Sequence, residues 1–141
     1  MKTSARNQFQ GKVTNVKQGS VNDEVELEVA GGKIVAIVTH ESADGLGLQV
    51  GAKAFALIKS SSIIIATDNK GAKFSARNSL NGTISQVKSG AVNSEVIIGL
   101  EGGASVAAIV TNESCKSLGL AVGMPATAIF KASSVIIGTQ T

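Results

Sequence analysis

The chain has 141 residues, 43% of them apolar and 16% charged, which excludes a disordered tail and leaves room for one ordinary domain or two small ones. A net charge of +3 and a pI near 9.2 favour anionic partners. With no Trp, no Tyr and only four Phe, however, the stacking platforms of a single-strand reader are missing, and nucleic acid is not expected. Mean hydropathy is positive at +0.25, but short runs of Val, Ile and Ala carry it, none near the roughly 20 residues a spanning helix needs, so no membrane partner is expected.

Taken from the start, Met1-Lys2-Thr3-Ser4-Ala5-Arg6 has charge with no apolar stretch behind it. No secretory signal is read there, and the expected location is cytoplasmic. Ser4-Ala5-Arg6-Asn7 then returns unchanged as Ser75-Ala76-Arg77-Asn78, and the whole chain follows the duplication. The period is 71 residues as far as Gly31-Gly32, which match Gly102-Gly103, and 72 beyond them. Two copies of about 70 residues make a tandem of small domains and not a solenoid. The expected units are residues 1–68 and 73–141, joined by a linker at 69–72 within the polar stretch Asp68-Asn69-Lys70-Gly71-Ala72-Lys73.

Within the first copy, Phe9, Gly11 and Val13 alternate with polar residues, as do Val25, Leu27 and Val29 with Glu24, Glu26 and Glu28. Both stretches predict strands. Gly31-Gly32 is a hairpin signal, and the continuous apolar run Ile34 to Val38 predicts a strand buried on both faces. Thr39-His40-Glu41-Ser42 offers a cap and a first-turn acid, predicting a short helix near 41–46, with its counterpart near 113–118. Strands are expected again over Ala54 to Lys59 and Ser62 to Ala66. Five short strands and one helix per copy predict an all-β chain with short helices, built as two tandem OB-like small β-barrels. Barrels this small have thin cores, so oligomer contacts are expected to add burial.

The repeated polar residues are Ser4, Arg6, Thr39, Ser42, Lys59 and Ser61, and then Ser75, Arg77, Thr111, Ser114, Lys131 and Ser133. Arg6 and Arg77 are the only arginines in the chain. Two readings of them stand side by side: a planar five-donor fork for an oxyanion, or a salt bridge at the interface between repeats. Hydroxyls and cations without a repeated His or Asp suit a fully ionised tetrahedral anion better than a metal or a hydrolytic reaction. Molybdate, tungstate and sulfate are unprotonated near neutrality, whereas monoprotonated phosphate wants an acceptor for its proton, for which Glu41 or Glu113 is the candidate. Free N–H groups after Thr39 and Thr111 add donors, although Ser and Thr at such places also serve simply as caps. The glycine-rich stretches lack the Gly-Lys-Ser/Thr continuation of a phosphate loop. Cys115 is alone, which excludes a disulfide framework and a cysteine zinc site. His40 is also alone, with Asn112 at the matching position, and reads as a surface or capping histidine. No catalysis, cofactor or free metal cation is expected.

Four blocks in the same order, twice, carry a resemblance: Ser-Ala-Arg-Asn, Gly-(Ser/Ala)-Val-Asn-x-Glu-Val, Thr-x-Glu-Ser, and Lys-(Ser/Ala)-Ser-Ser-(Ile/Val)-Ile-Ile. They resemble the Mop domain, and together the two copies resemble the tandem-Mop molbindins, the ModG type of cytoplasmic molybdate-binding protein. That resemblance implies OB-like barrels, a homotrimer, and molybdate, with tungstate as a mimic, held at contacts between domains for molybdenum storage. It further implies that Ser4, Arg6, Thr39, Ser42, Lys59 and either Ser60 or Ser61 serve one class of site, repeated by Ser75, Arg77, Thr111, Ser114, Lys131 and Ser133. Because Ala132 replaces Ser60, the two copies differ if that hydroxyl is a ligand. The turns at Val21-Asn22 and Val92-Asn93 resemble segments that form a second class of anion site through backbone donors. The alternative role is a molybdate-sensing module. Met1 stands only three residues before Ser4, so that role is expected to need a separate DNA-binding partner.

Overall fold

The computed structural model describes residues 1–140, so the final residue of the second repeat, Thr141, lies outside the described residues. The first repeat supplies β1 (Asn7–Lys17), β2 (Asn22–Val29), β3 (Gly32–Thr39), α1 (His40–Gly45), β4 (Lys53–Ile58) and β5 (Ile64–Ala66). The second supplies β6 (Asn78–Ser89), β7 (Asn93–Gly99), β8 (Ser105–Thr111), α2 (Asn112–Leu118), β9 (Pro125–Phe130) and β10 (Ile136–Gly138). Period-two burial is clear in β1, where Phe9 and Val13 are buried between exposed Gln8, Gln10 and Lys12. In β2, Val25, Leu27 and Val29 point inward while their glutamate neighbours stay outside the core.

The long strands β1 and β6 bend at the same place. Their register against β2 and β7 slips between Val13 and Asn15 and between Ile84 and Gln86. An extra residue of this kind kinks a strand and increases its twist, which lets a five-stranded sheet curl on itself. Just before each bulge the backbones approach too closely for a side chain. A Cβ at Gly11 would lie 2.1 Å from the Glu28 carbonyl oxygen, and one at Gly82 would lie 2.2 Å from that of Gly99.

The two sheets run β10-β4-β1-β2-β3 and β5-β9-β6-β7-β8, antiparallel throughout. Each therefore contains four strands of one repeat and the last strand of the other. The boundaries 1–68 and 73–141 describe the duplication, and the sheets cross them. Ile65 and Ile137, the buried residues of the exchanged strands, join one apolar cluster that includes Leu27, Ile34 and Ile58 from the first repeat and Ile84, Ile98 and Phe130 from the second.

Two asparagines fasten the sheets together. Asn78 Nδ2 donates to the Val35 carbonyl and the Val35 N–H donates to Asn78 Oδ1, both at 2.8 Å. Asn7 does the same to Ala107, again at 2.8 Å in each direction, and also donates to the Ile58 carbonyl. Val35 and Ala107 belong to β3 and β8, the edge strands of their sheets. Each carboxamide thus takes the place of the next strand. Asn7 is 2% exposed and Asn78 1%, so no water competes.

Two local expectations need correction. The run Ile34 to Val38 is not buried throughout: Ile37 is exposed and Val38 half-buried, because β3 is an edge strand whose outer face the other repeat covers only as far as Val35. Ser62 belongs to a tight turn over Ser60–Ser62, closed by its N–H on the Lys59 carbonyl, and β5 begins at Ile64. That turn redirects the chain toward the second sheet. The helices fall where the caps predict, with Thr39 and Thr111 accepting from the N–H of Ser42 and Ser114. Among the described residues no helix is long and apolar enough to cross a membrane.

Replacing Asn78 by Ala strands a buried N–H and a buried carbonyl on Val35. At about 1–3 kcal/mol for each of the two orphaned groups, Asn78→Ala should lose roughly 2–6 kcal/mol of stability. The exposed Gln8→Ala should stay within about 0.5 kcal/mol of the parent. Denaturant melts of the two variants check this, and equal midpoints would show that the amide is no fastener.

Candidate anion-binding site

Asn78 is paired with Phe130 across β6 and β9. This places Arg77, one step before β6, beside Lys131, one step after β9. Buried Asn78 and Phe130 anchor the two chain ends, so the cations are brought together by the ladder and not by attraction. Asn7 and Ile58 are paired in the same way, which sets Arg6 beside Lys59. Like charges so placed repel. Among the described residues neither lysine lies within ion-pair distance of a carboxylate.

Around Arg77 lies an open cleft of about 390 Å³, with Ser75, Arg77, Lys131 and Ser133 on its polar side and Ile37 and Ile64 among its apolar walls. The polar residues come from the second repeat, while Ile37 on β3 and Ile64 on β5 come from the first. The turn over Ala132–Ser134 packs against β3, and the Ser60–Ser62 turn packs against β8. Each serine turn therefore meets the edge strand that the neighbouring asparagine holds. Four of the twelve repeated polar residues named from the sequence share this cleft, and Ser4, Arg6, Lys59 and Ser61 occupy the duplicated positions.

Both arginines also make the bridge between repeats that the sequence left open. Arg77 Nη1 lies 2.6 Å from Glu24 Oε2, and Arg6 Nη1 donates to Glu95 Oε2. The arginine side chains are 52% and 54% exposed, against 28% for Glu24 and 16% for Glu95. Glu24 is paired with Ile37 across β2 and β3, so its strand position lies next to the cleft wall. Both glutamates are the acid of the duplicated Gly-(Ser/Ala)-Val-Asn-x-Glu-Val block, where nothing local assigns them a task. Their recurrence opposite the only two arginines was the available signal, visible only once the register of β2 and β7 was known. Glu41 and Glu113, the acceptors considered from sequence, lie exposed in the first turns of α1 and α2.

The hydroxyls at the helix starts do not line this cleft. Thr39 Oγ1 accepts the Ser42 N–H at 3.1 Å and donates to Ser42 Oγ at 2.8 Å, and Thr111 and Ser114 repeat the pattern. Thr39 follows Ile37 by two positions, on the same face of β3. The strand adjoining the Arg77 cleft thus carries the hydroxyls of the first repeat, not those of its own. Ser61 and Ser133 are exposed, Ser60 is half-buried, and Ala132 is buried.

The turns before β2 and β7 project outward, with Val21 and Val92 each 70% exposed and Asn22 and Asn93 exposed beside them. They are clipped differently in the two repeats. Buried Asp23 accepts the Gly19 N–H and faces His40 Nδ1 at 3.0 Å, while the His40 N–H donates to the Val21 carbonyl. In the second repeat Ser94 donates to Asn112, whose amide donates to the Gly90 carbonyl. His40 is thereby explained as a turn clip.

The TOBE domain family matches residues 3–65 and 75–137. The chain is 47% identical over 141 residues to the molybdenum transport protein ModE of Herbaspirillum seropedicae, covering 99% of this chain and 52% of that protein. It is 44% identical over 138 residues to the molybdenum-pterin-binding protein MopA of Rhodobacter capsulatus, covering 97% and 52%. The chain spans about half the length of these relatives. A crystal structure of the cytoplasmic molybdate-binding protein ModG with molybdate bound superimposes with a TM-score of 0.96 at 45% identity, covering 99% of this chain and all of that one.

Capping gives the helix-start hydroxyls a role that is separable from ligand contact. Thr111→Ala should cost about 1 kcal/mol of stability through the lost cap, while Ser114→Ala should stay within about 0.5 kcal/mol. Thermal melts of the ligand-free variants check the difference, and equal losses would show that Ser114 holds the helix start as strongly.

Proposed function

Because the chain belongs to the TOBE domain family, as a tandem of two Mop-type units, we propose that it binds molybdate, with tungstate as a close mimic, for intracellular molybdenum storage and homeostasis. The observation that carries this reading is the cleft at the junction of the repeats, where Ser75, Arg77, Lys131 and Ser133 converge against apolar Ile37 and Ile64. Arg77 offers a fork of donors, Lys131 a second positive charge and the serines neutral donors. The apolar walls remove water from one side and strengthen each charge-assisted bond. A second site uses Ser4, Arg6, Lys59 and Ser61 or Ser60, and Thr39, Ser42, Thr111 and Ser114 add hydroxyls where domains or chains meet. The turns at Val21-Asn22 and Val92-Asn93 form the second class. The protein acts as a cytoplasmic binding protein and not an enzyme, and needs no cofactor.

Assembly belongs to this proposal. Val21 and Val92, Val50 and Val122, and Ile64 and Ile136 are exposed aliphatic pairs related by the duplication, each residue more than 60% exposed. Ile64 also lines the cleft, so a neighbouring chain docked there both buries apolar surface and closes the site. A homotrimer is the expected state. Light scattering should return about three times the 14.2 kDa chain mass, and a monomer at micromolar concentration would contradict sites shared between chains.

A second reading, a molybdate-sensing module acting with a separate DNA-binding partner, draws on the similarity to ModE proteins, of which this chain spans about half. Operator DNA retained together with the chain by an added helix-turn-helix protein, in a molybdate-dependent way, would favour it over storage.

Calorimetry with molybdate, tungstate, sulfate and phosphate tests the main proposal. Molybdate and tungstate should bind, sulfate more weakly because its bonds are shorter, and monoprotonated phosphate least. At roughly 1.5–3 kcal/mol for a charged hydrogen bond, Arg6→Ala or Arg77→Ala should each weaken one set of sites by about 10- to 100-fold. Arg→Lys should restore part of the loss, and the turn sites should survive. Unchanged binding in an assembled double variant would overturn the assignment.

A further inference from the structure

We infer that Glu24 and Glu95 are gates: each holds the arginine of the opposite repeat until a dianion displaces it, and so sets the charge that the site accepts. This inference rests on the oxyanion reading and deepens it. Its first support is reciprocity. Arg77 of the second repeat is bridged by Glu24 of the first, and Arg6 of the first by Glu95 of the second. The same carboxylate has therefore been kept opposite the same guanidinium in both copies, although the neighbouring residue has diverged from Asp23 to Ser94.

Position supplies the second support. Glu24 sits opposite Ile37 in the β2–β3 ladder, and Glu95 sits opposite Ile109 in the β7–β8 ladder. Ile37 lines the cleft, so the paired Glu24 stands beside that wall and bridges Arg77 from the first repeat, whereas Lys131 flanks it from the second. Among the described residues, the lysine beside each arginine is left without a carboxylate of its own. Each junction thus sets one bridged cation beside one cation without a bridge.

Charge then decides what can enter. A monoanion that displaces the carboxylate exchanges one negative charge for another at the guanidinium and gains little. A dianion satisfies the guanidinium and the lysine together, and the displaced carboxylate, already partly exposed, is taken up by water. Displacement is favoured over coexistence because a carboxylate and a dianion sharing one guanidinium repel at contact distance. The gate therefore lowers affinity by about the same factor for every anion that must displace it, and a dianion, which also satisfies the lysine, overcomes that cost where a singly charged anion does not.

The test compares Glu24→Gln, Glu95→Gln and their double variant with the parent, titrated with molybdate and with nitrate at one pH and ionic strength. Glu28→Gln with Glu101→Gln, both exposed and away from the cleft, serves as a control for removing charge elsewhere. Part-exposed ion pairs are weak, so the double gate variant should bind molybdate about two- to fivefold tighter, nitrate should gain by a similar factor from a much weaker start, and each single variant should change only one set of sites. Light scattering confirms that the assembly is intact. Unchanged or weaker molybdate binding in an intact double gate variant would overturn the inference, weaker binding showing that the glutamates orient the arginines. An equal gain in the Glu28, Glu101 control would overturn it too, because the effect would then be that of net charge. Failure of the underlying reading looks different: the parent itself would give no molybdate heat, or the Arg6→Ala, Arg77→Ala double variant would bind as the parent does.

Discussion

A carboxamide carries the same donor and acceptor as a peptide group, and this chain depends on that equivalence twice. Asn78 and Asn7 each complete the open edge of the opposite sheet, on Val35 and Ala107. Buried edge groups left unpaired would each cost more than a typical hydrogen bond contributes, so the amides both close the edges and fix the distance between sheets. No apolar side chain can do this, because it would bury β3 and β8 with their N–H and carbonyl groups unsatisfied. The arginine immediately before each asparagine is then held within reach of the opposite repeat. Its charge becomes a feature of the junction and not of either barrel alone.

Strand exchange works in the same direction. With β5 in the second sheet and β10 in the first, neither repeat can complete its own sheet. The apolar cluster is continuous between them, so folding of one copy stabilises the other. Positions that serve this shared frame are the ones that match between copies: the asparagines, Gly11 and Gly82 at the close approach, and the bulges that follow. Where a position serves one copy only, substitutions come in compensating pairs. His40 and Asp23 of the first repeat become Asn112 and Ser94 in the second, and both pairs clip the same turn with side-chain hydrogen bonds. One clip uses a carboxylate and an imidazole and the other a hydroxyl and a carboxamide, so the same turn is held by different chemistry.

At the junction, attraction and repulsion are arranged by backbone pairing. The ladders set Arg77 beside Lys131 and Arg6 beside Lys59 regardless of their repulsion, because Phe130, Ile58 and the asparagines supply far more burial than two exposed cations lose. Glu24 and Glu95 relieve half of that repulsion from across the junction. The remaining positive charge, that of Lys131, faces the apolar walls of the cleft.

From the sequence alone the duplication, the strand-rich copies, both short helices with their threonine caps, and the repeated set of cations and hydroxyls were legible. Each of these is written in local order: period-two alternation, cap residues at fixed offsets, and blocks that recur at one spacing. The convergence of Ser75, Arg77, Lys131 and Ser133 was legible as a list but not as a place. What tertiary structure decided was every relation between the copies. The exchange of β5 and β10 leaves no local mark, because Ile64–Ala66 makes the same kind of ladder with β4 or with β9. The task of Asn7 and Asn78 was hidden, since an asparagine after an arginine reads as a turn residue until an edge strand lies beside it. Ile37 looked buried because its neighbours are, and only its place on an edge strand exposes it to the cleft. Glu24 alternates with apolar residues like any solvated strand glutamate, Glu95 stands just ahead of an apolar run, and only the junction of the two sheets sets an arginine before each of them.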